Sequence, residues 1–352
     1  MSIKITGSGS YIPTETVTNL DFARHQFLNE DGTPFPYSNE VVAEKFLEIT
    51  GIQERRYASD DLLTSDIATI AAQRAIADAG IDPESLDYII FAHNFGNVKK
   101  GAIQTDILPS LATRVKYDLK IKNPKCVAYD ILFGCPGWVE GVIQAYAFIK
   151  AGMAKKCLVI GAETLSRVVD IHDRDSMIYS DGAGATIIEE TNASGGILAH
   201  ETATFAHDEA YYLYFGNSFN KNHDPDVRYI KMYGRKIYEF ALSNVPKAMA
   251  ACLEKSGVAI SQVKKVLIHQ ANEKMDEAII HRFFKLYKQS PPEGVMPMSI
   301  HKLGNSSVAT VPTLYDLLIK GQIEHQELHS GDVVIFASVG AGMNINAIIY
   351  QM

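Results

Sequence analysis

Cysteine is scarce in this chain. Four residues in 352, Cys126, Cys135, Cys157 and Cys252, stand apart with no Cys-x-x-Cys pair. That excludes a zinc knuckle and a disulfide-built scaffold and leaves free thiols as the expectation. No apolar run approaches the roughly 20 residues needed to cross a bilayer. The opening Met1-Ser2-Ile3-Lys4-Ile5-Thr6-Gly7 lacks a basic stretch followed by a hydrophobic one, so a cytoplasmic protein without membrane association is expected. Basic charge is also in deficit, with 33 Lys and Arg against 41 Asp and Glu and a formal net charge of −8. This balance argues against a general affinity for nucleic acid or anionic lipid. No low-complexity tract or flexible linker interrupts the chain. What remains is 47% hydrophobic, ample for one large domain or two fused ones sharing a core.

Hydrophobic periodicity alternates between the two regular structures, which predicts an α/β protein. Strands are expected near 2–7, 87–92, 125–130 and 157–161, with helices near 64–79, 102–118 and 137–151. The last of these places Val139, Val142, Ile143, Tyr146 and Ile149 on one face. The segment 179–188 reads as a glycine-rich turn leading into a strand, and Asn192-Ala193-Ser194-Gly195-Gly196 punctuates the end of a first half. A boundary near 195 divides the chain into 1–195 and 196–352. Residues 207–231, rich in Tyr, Asn, His and Asp, read as a long surface excursion of the kind that carries specificity. Helix is expected again at 232–255, 271–287 and 307–320, and strand at 265–269, 332–338 and 343–350.

Two stretches about half a chain apart share a pattern. A helix-ending Gly80 and the strand Ile89-Ile90-Phe91 match Gly257 and Val266-Leu267-Ile268, which sets His269 opposite Ala92. Likewise Phe133-Gly134-Cys135-Pro136-Gly137 matches Leu303-Gly304-Asn305-Ser306-Ser307, which sets Cys135 opposite Asn305. A duplicated scaffold with a thiol in one copy, and an imidazole and a carboxamide in the other, points to one composite active site.

Each residue also has a plainer reading. Cys135 precedes a helix that Pro136 is suited to open. Amides at that helix end are expected to lower the thiol pKa and supply a nucleophile, although a buried cysteine can equally be inert. His269 and Asn272 follow an apolar strand, where open α/β sheets present ligands, but a histidine there can simply satisfy backbone groups. Asn305 can be a helix cap. Ser338-Val339-Gly340-Ala341-Gly342-Met343 offers a backbone N–H to an oxyanion, or makes a tight turn.

Taken in order, six motifs resemble the β-ketoacyl-acyl-carrier-protein synthase III family, condensing enzymes of the thiolase superfamily, over essentially the whole chain. They are 50–56 (Thr50-Gly51-Ile52-Gln53-Glu54-Arg55-Arg56), the Cys135 segment, 173–185, His269-Gln270-Ala271-Asn272, 304–312 and Gly340-Ala341-Gly342. The resemblance implies a thiolase-like five-layered αβαβα fold built from two duplicated halves, a homodimer, and a Cys-His-Asn triad at their junction. It makes Cys135 the acylated nucleophile, with His269 and Asn305 facing a malonyl thioester and the backbone N–H groups of Cys135 and Ala341 holding an oxyanion. No metal and no redox cofactor is implied. Its partners are acyl carrier protein or coenzyme A thioesters.

The resemblance further matches Arg174 to a coenzyme A contact, Lys274 to a carrier-facing basic position, and Gly234 and Asn272 to the pantetheine arm. Lys45 stands where the family has a tryptophan across the adenine, which favours a carrier-protein donor or an unusual starter. The one tryptophan, Trp138, falls in Cys135-Pro136-Gly137-Trp138, where the family more often has Cys-Ala-Gly-Phe. With Phe95 and 207–231 it is either part of a nonstandard acyl pocket or core packing. Three functions follow: a decarboxylative condensing enzyme of fatty-acid initiation or a related polyketide-like pathway; a ketosynthase-like acyltransferase or non-decarboxylative condensing enzyme; and a noncatalytic partner subunit of a ketosynthase complex. Retention of all three polar residues speaks against the last.

Overall fold

The computed structural model describes residues 2–102 and 104–352. Strands β1 (Ser2–Tyr11), β2 (Tyr88–His93), β3 (Val127–Leu132), β4 (Lys156–Thr164) and β5 (Asp181–Thr191) form one sheet in the order β1-β5-β4-β2-β3. A second sheet orders β6 (Gly196–Thr204), β9 (Val263–Ile268), β10 (Val333–Gly340) and β11 (Asn344–Gln351) as β6-β11-β10-β9. In both sheets the first strand pairs antiparallel with the last, and the strands that follow a helix pair in parallel. Between them in sequence, β7 (Leu213–Asn217) and β8 (Arg228–Met232) make a hairpin.

Three hydrophobic clusters account for the layering. Helix α2 (Thr64–Ala79) lays Ala68, Ala71, Ala72 and Ala75 on the outer face of the first sheet, against Ile89, Leu158 and Ile187. Small side chains there bring helix and sheet close. Between the sheets lie α4 (Gly137–Lys150) and α7 (Thr310–Ile319), following α1 (Asn39–Thr50) and α3 (Leu111–Asp118) and separated by α5 (Gly234–Ser256) and α6 (Glu273–Leu286). Trp138, Val142, Leu314 and Tyr315 fill that central layer against Val159 of one sheet and Phe336 of the other. Helices α5 and α6 cover the outer face of the second sheet with Val245, Met249, Ile279 and Phe283. The result is the five-layered αβαβα arrangement expected from the sequence. None of the described helices is long and apolar enough to cross a membrane.

Two expected elements differ. Of the helix expected across 102–118, Ile103 lies outside the described residues, Thr105–Asp106 pairs with Asn97–Val98, and only Leu111–Asp118 is helical. Pro109 has no N–H to give to a helix and biases its predecessor to extended geometry, so the helix starts after it, with the Ser110 side chain accepting from the Thr113 N–H. The glycine-rich 179–188 segment is not a turn, because Asp181–Thr191 is continuous strand. Its glycines serve close approach: a Cβ on Gly184 would stand 2.7 Å from Pro312 of α7. The 207–231 excursion carries the β7–β8 hairpin, pinned by a buried Lys231 ammonium that donates to Asp170 at 2.7 Å and Asp173 at 2.9 Å.

Candidate active site

Strand β3 ends at Leu132 and α4 begins at Gly137, so Cys135 sits in the tight connection between them. Gly134 makes that connection possible with a φ of 57°, in the left-handed region that other residues avoid. A Cβ there would stand 2.9 Å from the Ala341 backbone nitrogen, so the Gly134-Cys135 and Gly340-Ala341 backbones lie against each other. The Cys135 N–H finds no carbonyl partner among the described residues. Cys135 touches the cavity with part of its surface while Cys126, Cys157 and Cys252 are buried.

The thiol does not follow the expectation of a lowered pKa. Burial pushes it up to about 11; the hydrogen bond from Ser307 pulls down, and the nearby Glu163 carboxylate adds to the rise. Desolvation of the anion outweighs the Ser307 hydrogen bond.

His269 leaves the end of β9 with its backbone N–H donating to the Ala337 carbonyl at 2.8 Å. The residue is 4% exposed, and burial alone pushes the imidazole pKa down to about 4, so the ring is neutral near pH 7. Its Nδ1 has no partner among the described residues. Asn305 is clamped across the molecule, its N–H donating to the Ile178 carbonyl at 3.0 Å and its carbonyl accepting from Ser180 N–H at 2.8 Å. Its side-chain oxygen accepts from the Ser307 N–H at 2.8 Å, which leaves the amide nitrogen as the outward group. Asn305 therefore does not cap α7, whose preceding residue is Ala309.

Cys135, His269, Asn305 and Ala341 all line one cavity of about 260 Å³. Phe95 and Phe215 stack beside it with centroids 4.9 Å apart, and Leu213, Tyr214 and Ile230 bring the hairpin to its wall. Trp138 takes no part: it is fully buried, donates to Thr186 Oγ1 at 3.1 Å and packs edge-on against Phe336. Core packing is its role.

A second cavity of about 370 Å³ shares Ile178, Met232, Ile237, Ala271 and Met275 with the first, so the two adjoin, the second forming an outer passage beside the first. Arg174, Gly234 and Asn272 line it, as does Lys45 of α1. Asn272 also caps α6, its side-chain oxygen accepting from Met275 N–H at 3.0 Å. Lys274 lies outside the lining, half exposed and 3.5 Å from Glu48. The sequence reading missed two aromatic rings in this passage. Phe35 stacks under the Arg174 guanidinium at 4.5 Å, and Lys45 stands over Tyr37 at 4.3 Å. It also passed over Ser307, which lay inside a quoted motif, and Asn94 and Glu163, which carried no spacing signal.

The family model for 3-oxoacyl-[acyl-carrier-protein] synthase III matches residues 129–205, and its C-terminal model matches 253–352. The chain is 31% identical over 349 residues to the β-ketoacyl-[acyl-carrier-protein] synthase III of Bacillus pumilus, spanning 99% of this chain and 98% of that protein. It is 32% identical over 353 residues to the one from Aquifex aeolicus, spanning 100% of both. The crystal structure of the Aquifex aeolicus 3-oxoacyl-[acyl-carrier-protein] synthase III superposes with a TM-score of 0.81 at 30% identity over 100% of each chain. The priming β-ketosynthase of the R1128 polyketide pathway shares the fold, with a TM-score of 0.81 at 22% identity over 100% of this chain and 96% of that one.

Proposed function

The chain belongs to the 3-oxoacyl-acyl-carrier-protein synthase III family of condensing enzymes, and from that premise we propose that it joins an acyl starter to a malonyl thioester by decarboxylative Claisen condensation. The observation that carries this reading is the convergence of Cys135, His269 and Asn305 on one cavity with a lined passage adjoining it.

In the first half-reaction the Cys135 sulfur attacks the carbonyl carbon of an acyl thioester. The new S–C bond forms as the donor's C–S bond breaks, and the thiol proton leaves with the donor thiol. One thioester replaces another of similar strength, so the step is reversible and divides a hard condensation into two easier ones. The N–H groups of Cys135 and Ala341 hold the oxyanion, each such donor being worth about 3 kcal/mol. In the second, the malonyl thioester loses CO₂ and its carbonyl oxygen becomes an enolate. A neutral His269 N–H and the outward Asn305 amide stabilise that charge without a proton having to be lost first. The enolate carbon bonds to the acyl carbon, the Cys135 thiolate leaves, and it regains a proton from solvent.

The two halves, 1–195 and 196–352, divide this labour. The outer passage receives the phosphopantetheine arm of a carrier protein or coenzyme A, with Arg174, Gly234 and Asn272 along it and Lys274 at the carrier surface. Among the described residues strand β3 is an edge of its sheet, and its Val127 and Leu132 are exposed. That edge is the proposed face of a homodimer. The setting is cytoplasmic fatty-acid initiation or a related secondary pathway.

The test is incubation of purified protein with an acyl donor, on coenzyme A and on carrier protein, together with malonyl-carrier protein. Release of CO₂ and a β-ketoacyl product two carbons longer is expected. An ester or amide without extension would establish an acyltransferase instead. Absence of acyl mass on Cys135 would leave only a partner subunit.

A further inference from the structure

A chain of side-chain hydrogen bonds runs to the Cys135 sulfur from a buried carboxylate that the reaction above does not use. Glu163, near the end of β4, is 1% exposed. Its Oε1 accepts from the Asn94 backbone N–H at 2.6 Å and also from the Asn94 side-chain amide, while Oε2 has no partner among the described residues. The same Asn94 Nδ2 lies 3.2 Å from Ser307 Oγ, and Ser307 Oγ lies 3.3 Å from Cys135 Sγ.

The direction of the chain follows from its buried end. An ionised Glu163 only accepts, and its Oε1 already accepts from the Asn94 backbone N–H, so Asn94 turns its Nδ2, and not its oxygen, toward it. The second Nδ2 proton then goes to Ser307 Oγ, which accepts there and keeps its own proton for the sulfur. Ser307 is held in this place by its backbone. Its φ of 53° is left-handed, an uncommon state for a residue with a side chain, and its N–H is the group that fixes the Asn305 oxygen. One strained residue thus orients the carboxamide with its backbone and addresses the thiol with its side chain.

We propose that Ser307 is a catalytic residue of the acyl-transfer step, its hydroxyl a directed donor that stabilises the Cys135 thiolate as it forms, with Asn94 and Glu163 as positioning residues that set the hydroxyl's direction. The inference rests on the reading of Cys135 as the nucleophile. It also assigns a function to Glu163 that offsets its cost, because the carboxylate's own charge raises the thiol pKa while the hydrogen bond at the far end of the chain lowers it.

The experiment needs no acyl donor. Alkylation of Cys135 by iodoacetamide is followed by intact mass and peptide mapping between about pH 6.5 and 10, since the thiolate is the reacting form. The other three thiols are buried. Ser307→Gly deletes the hydroxyl and tolerates the positive φ. It is expected to alkylate about three- to tenfold more slowly at pH 8, one pKa unit costing tenfold in thiolate and returning part of that in nucleophilicity. Its pH–rate curve moves to higher pH, which a merely structural loss would not produce. Ser307→Ala shifts the same way. Asn94→Ala slows the reaction less, because the hydroxyl remains but is free to turn. Glu163→Gln keeps an oxygen for Asn94 and removes the opposing charge, so its pH–rate curve moves to lower pH. Glu163→Ala removes the same charge but leaves Asn94 without its acceptor, so it alkylates more slowly than Glu163→Gln, and equal rates in the two would remove Glu163 from the scheme.

Unaltered rates and pH dependence in both Ser307 variants would overturn the proposal. Were those variants unfolded by melting curve, an unaltered Asn94→Ala profile would overturn it in their place. Failure of the protein to self-acylate sinks the condensation reading and leaves this result readable on its own.

Discussion

The first and second halves use one backbone device to hold different chemistry. Gly134 and Gly304 precede Cys135 and Asn305 with φ of 57° and 59°, and Gly80 and Gly257 end α2 and α5 with φ of 63° and 71°. The first pair presents a side chain to the cavity at equivalent places, and the second ends equivalent helices. The side chains themselves have diverged. Where the second half has His269, the first has Ala92, and a Cβ on Gly137 would stand 2.8 Å from the Ala92 methyl. There is no room for a ring at that position. The first half thus sets a thiol beside a methyl where the second sets a carboxamide beside an imidazole.

The sharpest way to break the comparison is to remove the sulfur. Cys135→Ala is expected to abolish self-acylation, read as the absence of acyl mass, while circular dichroism and melting temperature remain those of the parent. An acylated Cys135→Ala protein would place the nucleophile elsewhere. Next in size are the groups from the other half. Asn305→Ala spares acylation but slows decarboxylation about 10²- to 10³-fold, the usual effect of losing one donor to a developing oxyanion. His269→Ala acts chiefly on the malonyl half-reaction. Equal loss of acylation and of CO₂ release in Asn305→Ala would show that the labour is not divided.

The backbone device can be probed on both sides. Gly134→Ala and Gly304→Ala each impose a side chain on a positive φ, costing about 1–3 kcal/mol, and each meets a neighbour. The new methyl at 134 stands 2.9 Å from Ala341 N, and that at 304 stands 2.9 Å from Arg55 Cβ. Both variants are expected to melt several degrees lower. Gly134→Ala alone should also impair self-acylation, since it displaces Ala341 from the oxyanion position. Equal self-acylation in the two would detach Ala341 from that step.

This asymmetry explains what was legible in the sequence. The alternation of strand and helix could be read because it rests on local signals, apolar periodicity for the helices and small-residue turns that recur at matching places, whereas the five layers and the Cys-His-Asn set came from the resemblance of six ordered motifs. Expectations failed where a distant partner decides the outcome. The 181–185 glycines are strand because α7 lies on them, and the Cys135 thiol is raised because the fold buries it. Phe35 and Tyr37 reach the passage through a loop that has no periodicity. Glu163 is indistinguishable in sequence from any carboxylate at a strand end, and only its depth of burial makes it unusual.

Glu163 yields the smallest effect, and the one most specific to the first half. Burial raises its pKa from the ordinary 4.5 to about 7. Between those values the folded protein binds a proton that the unfolded chain has released, so the contribution to stability is present below 4.5 and is lost as pH rises through about 7. Glu163→Gln removes that titration. It is expected to be more stable than the parent at pH 8, by at most about 3 kcal/mol, and equal to it near pH 4.5. For a protein of this size the gain is a few degrees in Tm. His269 runs the other way, since its pKa is depressed to about 4 and its contribution is lost as pH falls from the unfolded value toward that point. Both proteins carry His269, so it cancels in the difference between their melting curves. A Tm difference that does not change between pH 5 and pH 8 would mean that Glu163 titrates like a solvated carboxylate.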